Sequence, residues 1–334
     1  MSRYALIVVN WNSWDILSHC LEKLESQTFK NFDVLVADNA SDQSAPDGLV
    51  ARYPNVTLIQ NQSNLGFAAA NNQAVALLRD AEWVALLNPD AFPEQDWLRQ
   101  LIDAAEQNPG YSMFASRQLM DEDHHRLDGD GDVYHISGLV WREGHGRRKN
   151  EAAHAPAEIF SPCAAAALYR RDALTSVGGF DEDFFCYVED VDLGFRMRLM
   201  GHRCLLVPDA VVHHIGSATS GGQQGDFALY HGHRNLVWAY VKNMPGCLFW
   251  ACLPLHLAMN LLTVLMFVLR GKGEVILRAK RDALLGLRKM WSKRQEIQKC
   301  RVASVGEIWR VLDKRMIPIR YDRQTGWKPQ WLMR

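Results

Sequence analysis

The sequence predicts an α/β fold built on a parallel sheet covered on both faces, and three observations carry that expectation. Apolar runs alternate with amphipathic ones through the first half of the chain. The runs that read as strands are continuously apolar, as in Leu6-Ile7-Val8-Val9, which suits strands buried on both sides. Each of them ends in Asn or Asp, at the edge where open α/β sheets bind ligands.

Taken in order, Tyr4–Val9, Asp33–Ala37, Val56–Gln60 and Trp83–Leu87 read as strands, with helices at Ile16–Ser26, Phe67–Leu78 and Gln95–Gln107. The strands are followed by Asn10-Trp11-Asn12-Ser13, Asp38-Asn39-Ala40-Ser41-Asp42, Asn61 to Phe67, and Asn88-Pro89-Asp90-Ala91. Turn chemistry favours these residue types at any one strand end. Four in succession on the ligand edge point to a site. Residues 120–157, rich in Asp, Gly, His and Arg, read as a solvated turn or mobile lid, because Asp128-Gly129-Asp130-Gly131-Asp132 lacks the spacing and closing Glu of a calcium loop. Ile159–Tyr169 reads as one strand, Arg171–Val177 as a short helix, Gly178-Gly179-Phe180-Asp181 as a turn, and Asp190–Met200 as a helix closed by Gly201. Cys204–Val207 and Ala210–Val212 read as short strands, the second delivering His213-His214.

At 334 residues, 48% hydrophobic and 22% charged, the chain can bury one large core or a core with an appendage, and it is not a disordered protein. Seven scattered cysteines without a CxxC pair argue against a disulfide framework and a zinc site and favour a reducing cytosol. Met1–Asn10 has no small-residue cleavage site, so no signal peptide is expected. Net charge is −1, yet residues 1–269 hold 19 basic against 32 acidic side chains, whereas 270–334 hold 18 against 6. A basic tail suits nucleic acid or anionic lipid. This one adjoins Cys247–Leu269, 23 residues without a formal charge and long enough to span a bilayer, rather than interleaved stacking aromatics. Nucleic acid is therefore the weakest partner.

The stretch from Phe184 to Arg196 sets Glu189, Asp190 and Asp192 in an aromatic frame before a helix. Apolar neighbours raise carboxylate pKa values, while a helix N-terminus, Arg196 and Arg198 lower them, so one acid can act as a base beside paired ones. Helix-start pairing with Arg196 or Arg198 accounts for Asp192. The aromatic surround and the upstream turn favour a site at Glu189 and Asp190. Asn64-Leu65-Gly66-Phe67 places a glycine at a helix start, where free N–H groups favour a diphosphate, although a capped surface helix explains it equally. Asp90 could hold a divalent metal given a second ligand, which His213 or His214 could supply. Taken alone, that pair reads more simply as two unrelated loop residues.

In this order over residues 4–240, Val8-Val9-Asn10-Trp11-Asn12, Asp38-Asn39-Ala40-Ser41-Asp42, Asn64-Leu65-Gly66-Phe67-Ala68, Asn88-Pro89-Asp90, Gly178-Gly179-Phe180-Asp181, Glu189-Asp190-Val191-Asp192-Leu193 and His213 form a series. The series resembles the inverting family 2 glycosyltransferases of GT-A fold, in their bacterial rhamnosyltransferase-like branch. The resemblance implies a Rossmann-like mixed sheet flanked by helices over 1–240, with a nucleotide-sugar-binding half at 1–117 and an acceptor and catalytic half at 158–240. Residues 241–334 would form an apolar and basic helical region that associates with membrane. The implied reaction moves a sugar from a nucleotide-sugar donor to a hydroxyl of a glycan acceptor in cell-surface polysaccharide synthesis, with dTDP-rhamnose the first donor to test.

By the same resemblance Asp38, with Asn10, Asn12 and Ser41, is the edge that reads base and ribose, and Asn64, Gly66 and Asn71 contact diphosphate or sugar. Asn88 and Asp90 stand where the family carries its metal-binding DxD. Asn88 replaces the first carboxylate, which gives His213 more weight as second ligand for Mg2+ or Mn2+, with His214 as the alternative. Asp190 corresponds to the catalytic base, and Glu189 orients it or the acceptor. Phe180, Asp181 and Phe185 would line the acceptor side, and Arg234-Asn235 would approach an acceptor phosphate.

A single crossing at Cys247–Leu269 would put body and basic tail on opposite sides, and the positive-inside rule would send the body away from cytosolic nucleotide sugars. An in-plane or re-entrant segment at the cytoplasmic face of the inner (plasma) membrane, peripheral or monotopic, fits better. Its basic flank would then lie on anionic headgroups. That placement suits a polyprenyl-diphosphate-linked acceptor; a buried core helix is the plain alternative. A nucleotidyltransferase would want a Gly- and Lys/Arg-rich loop after the first strand, and Asn10-Trp11-Asn12-Ser13 offers none. A non-catalytic nucleotide-sugar-binding scaffold stays open because Asn88 replaces an acid.

Overall fold

The structure, a computed structural model, describes residues 2–216, 225–315, 319–322 and 326–329. Strand and helix alternate first, as β1 (Tyr4–Asn10), α1 (Trp14–Glu25), β2 (Asp33–Asp38), α2 (Leu49–Arg52), β3 (Val56–Gln60), α3 (Gly66–Leu77), β4 (Trp83–Leu87), β5 (Ala91–Pro93) and α4 (Trp97–Gln107). Next come β6 (Met113–Met120), β7 (Asp123–Gly129), β8 (Asp132–Tyr134), β9 (Val140–Arg142), β10 (Ala157–Ile159), β11 (Ala166–Arg170), α5 (Arg171–Ser176), α6 (Glu189–Leu199) and β12 (Cys204–His214). The chain continues through α7 (Asp226–Asn243), α8 (Gly246–Leu269), α9 (Gly273–Leu285), α10 (Leu287–Cys300) and α11 (Val305–Val311) to a ribbon of β13 (Ile319–Asp322) and β14 (Gly326–Pro329). Of the basic tail expected over 270–334, side chains are described as far as Arg315.

β3, β2, β1 and β4 lie side by side and parallel. β11 runs antiparallel between β4 and β6, β12 is parallel to β6, and β10 closes the edge, so the sheet is mixed. Period-two alternation divides each strand between two cores. Leu6 and Val8 pack with Val34, Val36, Trp97 and Leu101 under α1 and α4. Ala5 and Ile7 pack with Leu35, Ala74, Leu174 and Leu193 under α3, α5 and α6.

Three segments differ from their sequence reading. Ile159–Tyr169 is two strands, because the chain leaves the sheet between β10 and β11. The two short strands expected over 204–212 are one strand, β12, bulged between Val207 and Val211. The supposed lid at 120–157 carries β7, the β8–β9 hairpin and β10, and it buries Asp128, Asp130 and Asp132. Two guanidinium groups, one buried and one partly buried, answer that acidic run. Arg117 of β6 donates to both oxygens of Asp130 at 2.9 and 2.8 Å, and Arg142 of β9 pairs with Asp128.

Helix α6 is buried on every side, which explains why its sequence shows no amphipathic stripe. Leu193 and Met197 face the sheet, while Val191, Phe195 and Leu199 join Trp238, Tyr240, Phe249, Met290 and Ile308 in a third core. Lys242 of α7, fully buried, pairs with Asp192 at 2.8 Å and with Asp181. Asp192 also accepts from Arg196 at 2.9 Å and from Asn243 at 2.7 Å, so it is a structural acid. Lys293 of α10 reaches Asp181 at 2.5 Å and Asp183 at 2.7 Å. Helix α8 lays one stripe on this body, Phe249, Cys252, His256, Met259 and Thr263, and exposes Trp250, Leu257, Leu261, Leu265 and Leu269.

Burial alone would raise the Asp181 carboxyl, but the Lys242 and Lys293 cations reverse this and hold it well below the ordinary range. Its stabilising contribution is therefore in place above the unfolded value of about 3.9 and is lost as pH falls through the lower folded value. Lys242→Met leaves Asp181 short of one cation and Asp192 with Arg196 as its remaining cation beside Asn243, and should lower the unfolding free energy at neutral pH by about 3–5 kcal/mol in urea melts. The difference between variant and wild type should shrink below about pH 4. A loss that grows on acidification would contradict this account.

Candidate active site

The C-terminal ends of β1, β2 and β4 and the loop before α6 enclose a cleft of about 490 Å³. Its wall takes Trp11 and Ser13 from beyond β1, Asn39 from beyond β2, Asn64 and Gly66 from the start of α3, and Asn88 and Asp90 from beyond β4. Cys163–Ala165, Phe185–Asp190, Arg142, His214 and Phe227 complete it.

The loop entering α6 is left-handed at Phe185, Tyr187 and Val188, with φ of 64, 67 and 69°. Non-glycine residues in such regions cost about 1–3 kcal/mol each, so something must hold them. Helix α7 does so. Asn235, fully buried, reaches the carbonyls of Phe184, Cys186 and Tyr187 with its Nδ2 at 2.9, 3.0 and 2.8 Å. Arg234 donates to the carbonyls of Asp183 and Phe184, both at 3.1 Å. On the other side Gly66 (φ 82°) lets the loop approach, since a Cβ there would lie 2.6 Å from the Phe185 ring. The Ala68 N–H donates to the Phe185 carbonyl at 3.3 Å, so one of the free donors at this helix start is already engaged.

Glu189 and Asp190 emerge from this loop in the first turn of α6. Asp190 accepts from the Val191 N–H at 2.8 Å and the Ala164 N–H at 3.2 Å. Burial raises both carboxyls. Backbone donors and the Arg142 charge restrain Asp190, whereas the Asp190 charge pushes Glu189 further up, and one buried oxygen of Glu189 has no hydrogen bond. Glu189 is therefore the member of the pair with the higher proton affinity, and Asp190 the one that ionises more readily. Ligand atoms of Asp132, Cys163 and Asp190 lie within 4.8 Å of one another. Burial pushes the Cys163 thiol up to about 12, which makes that trio a poor set for a hard divalent ion.

A second acidic point forms because β5 pairs antiparallel with the end of β12, His214 opposite Ala91 and His213 opposite Phe92. His214 Nε2 lies 3.4 Å from Asp90 Oδ1, and its Nδ1 lies 2.7 Å from Asp128 Oδ2. Asp128 pairs in turn with Arg142, so charges alternate along Asp90, His214, Asp128 and Arg142. Burial disfavours a charged His214, but the two carboxylates outweigh it and raise the imidazole to about 9. Burial works against Asp128 too, and Arg142, His145 and His214 hold it well below the carboxylate range. His213 sits elsewhere, 3.2 Å from Glu94 with its ring against His124. The expected partner of Asp90 is thus corrected from His213 to His214. The bulge in β12 interrupts the alternation from which a sequence reader would choose between them.

Asn10, Asn12, Asp38 and Ser41 assemble beside the cleft. Asp38 accepts from Asn10 Nδ2 at 2.9 Å and Ser41 Oγ at 2.5 Å, and the Asn12 N–H donates to Ser41 Oγ at 2.8 Å. Asn64, Gly66, Asn88, Asp90, Phe185, Glu189 and Asp190 all line the cleft. Besides His213, which lies against Glu94, four expected residues stand away from it. Asn71 is buried in α3 and donates to the Phe67 carbonyl, Phe180 packs in the second core, Asp181 belongs to the Lys242 network, and Arg234 anchors the loop rather than facing a ligand. Sequence reasoning missed Asn39, Asp128, Arg142 and Cys163. The one available signal was the density of acids at 128–132 close to Arg142.

Residues 5–178 match the sequence profile of glycosyl transferase family 2. The N-acetylglucosaminyl-diphospho-decaprenol L-rhamnosyltransferase of Mycobacterium tuberculosis (strain CDC 1551 / Oshkosh) is 30% identical over 257 residues, 68% of this chain and 80% of its own. Rhamnosyltransferase WbbL of Escherichia coli (strain K12) is 25% identical over 214 residues, 61% of this chain and 80% of its own. Two solved structures share the fold. GalNAc-T7 with UDP, GalNAc and Mn2+ superposes with a TM-score of 0.58 at 12% identity, over 72% of this chain and 48% of that one. Mannosyltransferase PcManGT from Pyrobaculum calidifontis with GDP-Man and Mn2+ gives 0.52 at 18% identity, over 92% and 88%. The mixed sheet flanked by helices is therefore the GT-A arrangement anticipated from sequence.

Asn235→Ala should release the loop. Unfolding free energy should fall by about 1–3 kcal/mol, and amide exchange at Phe185–Asp190 should accelerate while that of α4 stays unchanged. Exchange at the loop matching wild type would show that Asn235 does not hold it.

Proposed function

The chain belongs to glycosyl transferase family 2 and is a glycosyltransferase of the rhamnosyltransferase-like kind, and from this premise we propose the reaction it carries out. A sugar, L-rhamnose in the first instance, passes with inversion from a nucleotide donor to a hydroxyl of a polyprenyl-diphosphate-linked glycan. The observation that carries this reading is a single cleft containing both Asp190, whose proton affinity is raised, and Asp90 with His214. The decaprenol in the name of the mycobacterial relative supports the lipid-linked acceptor.

Asp190 takes the proton of the acceptor hydroxyl as that oxygen attacks the anomeric carbon, and the bond from that carbon to the diphosphate oxygen breaks on the opposite side. Glu189, protonated, keeps Asp190 the ionised member of the pair. Asn64 and Gly66, with Asn39 between them and the sheet, receive the diphosphate or sugar. The network of Asn10, Asn12, Asp38 and Ser41 supports the edge that reads base and ribose. Residues 1–117 and 158–240 supply these groups, and the intervening segment adds Asp128 and Arg142.

Asp90 and His214 fit a divalent ion, Mg2+ or Mn2+. Asp128 backs the imidazole through Nδ1, as carboxylates back metal-ligating histidines, and the buried Nε2 faces Asp90 Oδ1 at 3.4 Å. Such an ion would supply Lewis-acid stabilisation of the departing diphosphate. Asn88 shares that wall as a neutral ligand to donor oxygens.

Helix α8, 24 residues with a mean hydropathy of 2.0, is long and apolar enough to cross a membrane. Its inward stripe is nonetheless attached to the body, with His256 donating to the Ser137 carbonyl at 2.7 Å and stacked 3.9 Å from the Tyr240 ring. A crossing helix would forfeit these contacts, so the in-plane reading is preferred. Leu265 and Leu269 then meet acyl chains at the cytoplasmic face, and Arg278 and Arg281 meet anionic headgroups.

Asp190→Asn should fold as wild type by circular dichroism and lose at least about 100-fold in transfer from dTDP-rhamnose, assayed with detergent-stabilised protein. Full transfer by the folded variant would remove Asp190 from the chemical step. Transfer should also stop with EDTA and return with Mn2+ or Mg2+. Asp128→Asn, which weakens the acceptor behind the imidazole and also takes a carboxylate from Arg142, should raise the half-saturating Mn2+ concentration about 10–100-fold. His213→Ala should leave that concentration unaltered, and an equal effect from both variants would refute the His214 assignment.

A further inference from the structure

We propose that the groove between α8, α9 and α10 holds the isoprenoid chain of the acceptor lipid, a proposal that rests on the reading of that acceptor as polyprenyl-diphosphate-linked. The groove measures about 830 Å³ and is walled by Val237 and Val241 of α7, Leu257 and Leu261 of α8, Leu284 of α9 and Trp291 of α10. Leu257, Leu261 and Leu284 are 59, 71 and 64% exposed, too much contiguous apolar surface to leave in water.

One cation interrupts this wall. The Lys280 amine donates to the His233 carbonyl at 2.9 Å and to Asn260 Oδ1 at 2.6 Å, and no carboxylate pairs with it among the described residues. Burial without an anion beside it brings this lysine down to about 7, so an approaching phosphate would restore a charge that the fold leaves uncompensated. Arg288 adds a second cation to the lining. Apolar walls with an unneutralised amine match an amphiphile that has a phosphate head and a hydrocarbon tail. A docked peptide would bring backbone groups that these walls cannot satisfy.

Helix α7 links the groove to the cleft. Phe227 lines the cleft, and Val237 and Val241 line the groove, ten and fourteen residues on. At 1.5 Å per residue those are separations of about 15 and 21 Å, and fourteen residues make nearly four turns, so Phe227 and Val241 fall close to one face. A lipid whose sugar sits in the cleft therefore has its first isoprene units within reach of the groove. A bulk phospholipid has no reason to observe that spacing.

The test uses the full chain in detergent micelles and a polyprenyl phosphate carrying a benzophenone at the far end of its chain. Mass spectrometry should place the photolabel on residues 253–264 and 280–292, with unlabelled polyprenyl phosphate competing and phosphatidylglycerol failing to compete. Leu257→Trp with Leu284→Trp narrows the groove and keeps it apolar. It should raise KM about tenfold for a decaprenyl-diphosphate-linked sugar while leaving kcat, and transfer to an octyl-diphosphate-linked sugar, unchanged. Label elsewhere, equal competition by phosphatidylglycerol, or an unchanged KM would each overturn the proposal. Labelling of the groove by a wild-type protein that transfers sugar to neither acceptor would uphold the groove and defeat the proposed reaction instead.

Discussion

Helix α7 fixes where the carboxylates of α6 stand, and most of the site follows from that attachment. Asn235 grips the loop just before α6, and two turns further on Lys242 and Asn243 grip Asp192 within its first turn. The N-terminus of α6 is thus clamped from both sides by one rigid element. Lys293 of α10 adds a third point through Asp181 and Asp183, at the turn where the loop begins. The helices after residue 225 are therefore part of what positions Glu189 and Asp190, although the residues proposed to hold the donor lie earlier in the chain.

The same low-dielectric interior gives the two acidic points opposite characters. At Asp190 burial prevails over the backbone donors and the restraining charge of Arg142, so proton affinity rises. At Asp128 two imidazoles and a guanidinium surround the carboxylate, and charge prevails over burial. Arg142 serves both points, since it neutralises Asp128 and moderates Asp190. An acid that accepts protons and a site that retains negative charge can consequently share one cleft without titrating together.

The sheet was legible because its signals are local. Leu6-Ile7-Val8-Val9 announces a strand buried on both faces, and each strand hands over to Asn or Asp at the ligand edge. The helix beginning at Glu189 was legible for the same reason, as was the pairing of Asp192 with Arg196, one turn apart. What failed needed contacts between distant segments. Arg117 and Arg142 answer acids 13 and 14 residues away, through strands in a stretch whose composition reads as solvated loop. The choice between His213 and His214 depended on a bulge with no Gly to mark it. Asn235 looked like a ligand-binding residue because nothing in the sequence reveals three carbonyls turned inward by a left-handed loop.

That loop also explains why strain can persist beside the acids. Val188 is β-branched and sits at φ 69°, a conformation that glycine would adopt without penalty. Yet Val188 is 6% exposed and packs in the third core with Phe184, Val191 and Trp238. Burying a valine side chain contributes about 1.5–3 kcal/mol, comparable to the 1–3 kcal/mol that such a backbone costs. Packing alone therefore offsets the strain at this one residue and leaves little for Phe185 and Tyr187, which are only half-buried. The balance comes from hydrogen bonds, those of Asn235 and Arg234 foremost, with the Ala68 N–H on the Phe185 carbonyl beside them. The loop is consequently stable only while α7 is docked, so the geometry of the proposed base depends on a helix whose outer neighbours, α8 and α9, carry the exposed apolar surface.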